Sequence, residues 1–149
     1  MKRTSTLSAG QMILLLAKIP FFRHFEQPEK ELILNHAYFY IAENQEKIIE
    51  QGSLENDFYI LLKGNADVVL DSNSHALAKI HAGDVFGEIS FVLNTARSSN
   101  VIATENCILL QVNRLLLNNL TTEIREKFKD QIIHKMAQHI IEMNNRMVS

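Results

Sequence analysis

The chain predicts a mainly β fold with flanking helices: an antiparallel β-roll, jelly-roll-like, with helices before it and a long helix after it. Three observations carry this. Between Tyr38 and Val112, short runs rich in β-branched and aromatic residues recur at near-even spacing, separated by Gly, Asn and Asp. On either side of that region, apolar residues recur at helical spacing instead. The chain is 149 residues long, 46% hydrophobic and 21% charged, enough to bury one core and a squeeze for two. One domain is therefore expected over residues 1–149, with N-terminal helices over about 1–36, the β-roll over 37–112 and C-terminal helices over 113–149.

In chain order, Met12, Leu15, Leu16 and Ile19 predict a helix from about Ser8 to Ile19, ended by Pro20. A second helix is expected from Pro28, a favourable first-turn residue, with Glu29 and Glu31 set against the positive end of its dipole. Its inward face would be Leu32, Ile33 and His36. The runs AYFYIA, EKII, FYILL, ADVVL, ALAKI, NVIAT and CILLQV then read as strands. The turns between them fall at 51–57, 63–65, 71–75 and 81–84. Asn113 is placed to cap a short helix over RLLLNNL, and Thr121 or Thr122 starts a long helix to about Met147.

Composition excludes several functions. With 15 Lys and Arg against 17 Asp and Glu, the net charge is −2, so no nucleic acid partner is expected for this chain alone. The apolar run Met12–Ala17 is too short for a signal sequence, and nothing approaches the ~18 apolar residues of a membrane span. Cys107 has no disulfide partner and reads as a small buried thiol; with the missing span it suggests a cytoplasmic location. The six His residues form no H-x-H or H-x-x-x-H pair, so neither a metal nor a reactive dyad is expected. The reading is of a binding module and not an enzyme.

One stretch breaks the strand rhythm. FGEISFVLNTARSSNV, residues 86–101, contains a segment, GEISFVL, that suits a single short helix beginning near Gly87 or Glu88. A helix start offers unpaired N–H groups and a partial positive charge to an anion. Arg97 carries a planar fork that meets two phosphate oxygens, or it would bond Glu88 as an ordinary ion pair. The Glu88 carboxylate only accepts hydrogen bonds, so beside an anion it calls for a donor such as a sugar hydroxyl. A ligand with a phosphate and a ribose-like hydroxyl close together satisfies both.

These residues resemble the cyclic nucleotide-binding domain family of catabolite activator proteins, kinase regulatory subunits and nucleotide-gated channels. Phe86, Gly87, Glu88, Ile89, Ser90, Arg97, Ser98, Ser99, Asn100 and Val101 match its phosphate-binding cassette in order and spacing, with Phe91 in place of Leu. IIEQGSLENDFYILLKG (48–64) and IPFFRHF (19–25) resemble two further family segments, and the likeness runs over about residues 15–145. Three departures stand out: Ala96 replaces the usual Pro before the Arg, Asn56 a usual Asp, and Gln45 a usual Gly.

The resemblance implies that the ligand-binding residues are Phe86, Gly87, Glu88, Ile89, Ser90, Arg97, Ser98 and Ser99, a cassette over 86–99. Arg97 would pair with the exocyclic phosphate oxygens, Glu88 with the ribose 2′-hydroxyl, and the Gly87–Ser90 amides with Ser98 and Ser99 would complete the cradle. It implies a regulatory module without a cofactor, taking cAMP, with cGMP the other candidate, and signalling to an effector protein through movement of its terminal helices. The alternative is an interaction scaffold of the same fold that binds no ligand. Ile133, Met136, Ile140, Met143 and Met147 recur at alternating spacings of three and four. Such a stripe suits a homodimer through the C-terminal helix or packing on the chain's own barrel. By family behaviour, residues around Ile133 to Ile141 would cover the base.

Overall fold

The computed structural model describes residues 1–4, 7–73 and 75–148; Ser74, in the expected 71–75 turn, lies outside them. Two antiparallel sheets face each other, with helices on the outer face of one. The first sheet has the strand order β1 (Lys2–Arg3), β2 (Tyr38–Ala42), β9 (Cys107–Val112), β4 (Phe58–Lys63), β7 (Val85–Phe86). The second has the order β3 (Lys47–Ile49), β8 (Asn100–Ala103), β5 (Asn65–Val69), β6 (Ala76–His81). The helices are α1 (Ala9–Ala17), α2 (Gln27–His36), α3 (Glu88–Leu93), α4 (Arg114–Asn118) and α5 (Thr122–Val148), with a 3-10 turn at Pro20–Phe22.

β4 shows why the sequence of the first sheet lacks alternation. Successive side chains point to opposite faces, and both faces of β4 are covered. Phe58, Ile60 and Leu62 join Leu16, Phe22, Ile33 and Phe128 beneath the helices. Tyr59 and Leu61 join Ile49, Phe86, Val101 and Leu109 between the sheets. A strand buried on both faces reads as a continuous apolar run, as β4 does over Phe58–Leu62. Its neighbour β9 splits the same way, with Cys107 and Leu109 between the sheets and Leu110 and Val112 under the helices. The Cys107 thiol is buried, and desolvation raises its pKa.

The helix ends follow local chemistry. Ser8 caps α1 in a reciprocal box with Gln11, and Glu26 does the same for α2 with Glu29. That box starts α2 at Gln27, one residue before the expected Pro28. His36, expected to face inward, is exposed at the last turn; only Ile33 is fully buried on this helix. The N-terminal zone, expected to be wholly helical, also holds β1, which pairs Lys2 with Ile41 and Arg3 with Tyr40. Asn113 caps α4 through the Leu116 N–H at 2.7 Å, and the Thr121 hydroxyl accepts from Ile124 N–H at 3.3 Å at the start of α5.

The packing of α5 changes along its length. Ile124, Phe128 and Ile132 are buried, and the Phe128 ring meets Phe21, Phe22 and Phe25 at 5.4, 6.3 and 5.5 Å between centroids. Beyond Met136 the described side chains are exposed, including Ile140, Ile141, Met143 and Met147. The barrel is therefore covered by Ile124, Phe128, Ile132 and the partly buried Met136, so that of the stripe read in the sequence Met136 packs on the core while Ile133, Ile140, Met143 and Met147 are exposed. No helix among the described residues is long and apolar enough to cross a membrane.

Candidate functional site

β7 delivers Phe86 to the inter-sheet core, where its ring stacks on Tyr59 at 5.7 Å, opposite it in register. The chain must then leave the sheet at once. Gly87 does this with φ +80°, a conformation that side chains rarely adopt, and it caps α3. A Cβ at Gly87 would stand 2.9 Å from Arg97 Nη1, 3.1 Å from Ile49 Cδ1 and 3.3 Å from the Asp57 carbonyl oxygen. Glycine is thus required by backbone conformation and by close approach together. α3 ends at Asn94 with φ +54°, and Asn56, in the place of the usual Asp, donates its side-chain amide to Asn94 Oδ1 at 2.6 Å.

Arg97 is strapped down by its own backbone. Its N–H donates to the Ser53 carbonyl at 2.9 Å and its C=O accepts from Gly52 N–H at 2.8 Å, joining the loop before β8 to the 51–53 turn. Buried Asn100 secures the next step: it accepts from Gln51 N–H at 2.8 Å and donates to Asp71 at 2.7 Å. The Arg97 side chain is 2% exposed. Nη1 donates to the Gly87 carbonyl at 2.9 Å and Nη2 to the Asp57 carbonyl. Burial lowers its pKa, opposed by the fields of Glu55, Tyr59, Asp57 and Glu88; an arginine in that position stays protonated.

Glu88 does not form the ion pair with Arg97 that the sequence left open. Among the described residues the acid within 4 Å of Arg97 is Glu55, at 3.9 Å from Nη2. Glu88 is half-buried, and desolvation pushes its carboxyl above the ordinary glutamate range. Its own backbone hydrogen bond and the fields of Lys135, His139 and Arg97 oppose that rise. Lys135 and His139 belong to α5, so the long helix brings the Lys135 ammonium toward the cassette.

Phe86, Gly87, Glu88, Ile89, Ser90, Arg97, Ser98 and Ser99 all line one cavity of about 120 Å³, whose other wall is Ile49, Val68 and Val101. Ser98 is exposed and Ser90 buried. Val101 closes the cassette motif and Ile49 belongs to the 48–64 segment, but neither is marked there as a wall of the site, and Val68 lies in no motif; the three sit on three different strands, where their apolar character fits equally well in any sheet core. A wider groove, about 650 Å³, runs between Pro20–His24, the turn at Gly83 and α5. Its charges are mixed, Arg23 and Lys135 against Asp84 and Asp130. No cluster of three potential metal-ligating side chains occurs among the described residues.

The profile of the cyclic nucleotide-binding domain matches residues 42–123, more than half of the chain. The chain belongs to the cyclic nucleotide-binding domain family. Over 70% of its length it is 31% identical to the potassium channel AKT1 of Arabidopsis thaliana, of which it spans 12%. Among solved structures it is similar to a cyclic nucleotide-binding domain from Methylobacillus flagellatus KT. The TM-score is 0.78 at 20% identity, covering 92% of this chain and 80% of that one. It is also similar to the regulatory subunit of a cAMP-independent protein kinase A from Trypanosoma brucei. There the TM-score is 0.70 at 25% identity, covering 87% of this chain and 45% of that one.

Proposed function

We propose that the chain is a single regulatory domain, residues 1–149, that binds a 3′,5′-cyclic nucleotide, with cAMP as its ligand ahead of cGMP. The observation that carries this reading is the convergence of Phe86, Gly87, Glu88, Ile89, Ser90, Arg97, Ser98 and Ser99 on one cavity, with a buried guanidinium beside the Gly87–Ser90 amides. Arg97 keeps N–H donors beyond the two it gives to carbonyls, so it can grip the exocyclic oxygens without leaving its place. Glu88 takes the ribose 2′-hydroxyl. At about 120 Å³ the cavity lies below the ~300–1,000 Å³ of pockets that enclose a whole ligand. It suits the cyclic phosphate and sugar, leaving the base for α5 to cover.

Signalling then follows from population shift. The nucleotide favours the arrangement in which cassette and terminal helices are drawn together, limited by its differential affinity for the two arrangements. Of the stripe Ile133, Met136, Ile140, Met143 and Met147, the four exposed members other than Met136, which packs on the chain's own core, supply a face for a second copy of the chain, and the output goes to an effector protein. Thermal unfolding with cAMP, cGMP, a cyclic dinucleotide and 5′-AMP tests the reading. A tight ligand raises apparent stability by mass action, about 2.7 kcal/mol at one hundred times Kd. The cyclic monophosphates are expected to raise the Tm and 5′-AMP to do so far less. The likeness to a regulatory subunit described as cAMP-independent favours a second reading, an interaction scaffold without ligand. Its signature is an unchanged Tm with all four compounds.

A further inference from the structure

Arg97 is met by two backbone carbonyls and by one carboxylate. The carbonyls of Gly87 and Asp57 take one donor each from Nη1 and Nη2. Glu55 Oε1 stands 3.9 Å from Nη2, the acid in ion-pair range of Arg97 among the described residues. The same oxygen accepts the Tyr59 hydroxyl at 2.7 Å. Tyr59 is 1% exposed and its ring is stacked on Phe86, and the Glu55 N–H donates to Ser53 Oγ at 3.1 Å. Glu55 is therefore anchored at both backbone and carboxylate while its side chain remains 49% exposed. The Asp57 carboxylate, next along the same loop, is engaged by Gln111 Nε2 at 2.8 Å.

We propose that Glu55, held by Tyr59, is a resident counter-ion of Arg97, and that an incoming phosphate group must take the guanidinium over from it. The proposal rests on the reading of the cavity as a phosphate-binding site. It makes Glu55 a determinant of affinity that no motif of the cassette contains. A group that compensates a buried cation only before the ligand arrives stabilises the ligand-free chain more than the complex, and so lowers affinity. Removing its charge moves stability and affinity in opposite directions. A carboxylate that merely positioned Arg97 would, on removal, lower both.

The pair is wide and half in water, so the effect is at the modest end and is screened by salt. Glu55→Gln is expected to lower the Tm measured without nucleotide while binding cAMP about 2–5-fold more tightly in low salt, an advantage that shrinks at about 1 M salt. Tyr59→Phe, which keeps the ring and removes only the hydroxyl, is expected to shift affinity in the same direction. The double variant should bind no more tightly than Glu55→Gln alone. Calorimetric titration of the full chain with cAMP reads all three. Equal or weaker binding by Glu55→Gln, or a gain indifferent to salt, overturns the proposal. If the unmutated chain binds no cyclic nucleotide, the sensor reading fails and inorganic sulfate becomes the probe. A larger sulfate-induced rise in Tm for Glu55→Gln than for the unmutated chain then upholds the counter-ion, and an equal or smaller rise overturns it.

Discussion

Arg97 and Glu88 hold the two roles proposed for the candidate site, and each carries a prediction. Arg97→Ala removes the one buried guanidinium facing the cavity and leaves a largely desolvated phosphate unpaired. We expect it to weaken cAMP binding by about 3–5 kcal/mol, read by calorimetry; a loss below ~1.4 kcal/mol, a factor of ten, contradicts it. Glu88 predicts an effect on stability of unusual sign. Because burial raises its carboxyl pKa, the folded chain holds a proton at a pH where the unfolded chain has released it. The stability due to this group therefore falls as pH rises from the ordinary value of 4.5 through the raised one. Glu88→Gln should raise the Tm without nucleotide at pH 7 by about 1–3 °C. The gain should vanish below the ordinary value, while the variant loses its preference for cAMP over 2′-deoxy-cAMP. These residues were legible in the sequence because the motif fixes their types and spacing. Glu55 and Asp57 were not, since the Asp57 contact is made by a backbone carbonyl and the Glu55 contact depends on how the 51–57 turn folds.

The elements were readable where local chemistry decides them. Ser8 and Asn113 cap helices as their residue types demand, and the short helix at Glu88–Leu93 follows from Gly87. β1 and β7 were missed because each is two residues long and exists only through its partner, β2 or β4. His36 faces water because α2 buries a narrow row centred on Ile33. The turn into α3 should be the element least tolerant of change. Gly87→Ala meets a positive φ and contacts at 2.9, 3.1 and 3.3 Å. It should cost about 1–3 kcal/mol of stability by denaturant unfolding and displace Arg97, so nucleotide affinity should fall with it. A variant as stable and as tightly binding as the unmutated chain would show that neither constraint operates. Phe128→Ala, at the point where α5 meets Phe21, Phe22 and Phe25, should cost about 3–5 kcal/mol through the cavity it leaves.

Across the whole molecule, two cores meet in the first sheet, and the candidate site lies where the second core opens at Phe86 and Val101. The β-roll was legible from strand spacing, but the behaviour of α5 was only half so. Ile124, Phe128 and Ile132, outside the stripe read in the sequence, pack on the barrel together with Met136 from it, while Ile133, Ile140, Met143 and Met147 are exposed. If a second copy covers them, sedimentation will show a concentration-dependent dimer that Ile140→Glu abolishes; a monomer at all concentrations contradicts it. The central claim is that the cavity between Gly87 and Arg97 grips a cyclic phosphodiester, and titration of the 15N-labelled chain with cAMP tests it most directly. The largest amide shifts are expected at Gly87, Glu88, Ile89, Ser90, Ser98 and Ser99, with the Arg97 side-chain Nε–H moving in step. Unmoved cassette resonances under saturating cAMP and cGMP, or shifts confined to the groove around His24 and His134, would contradict the account.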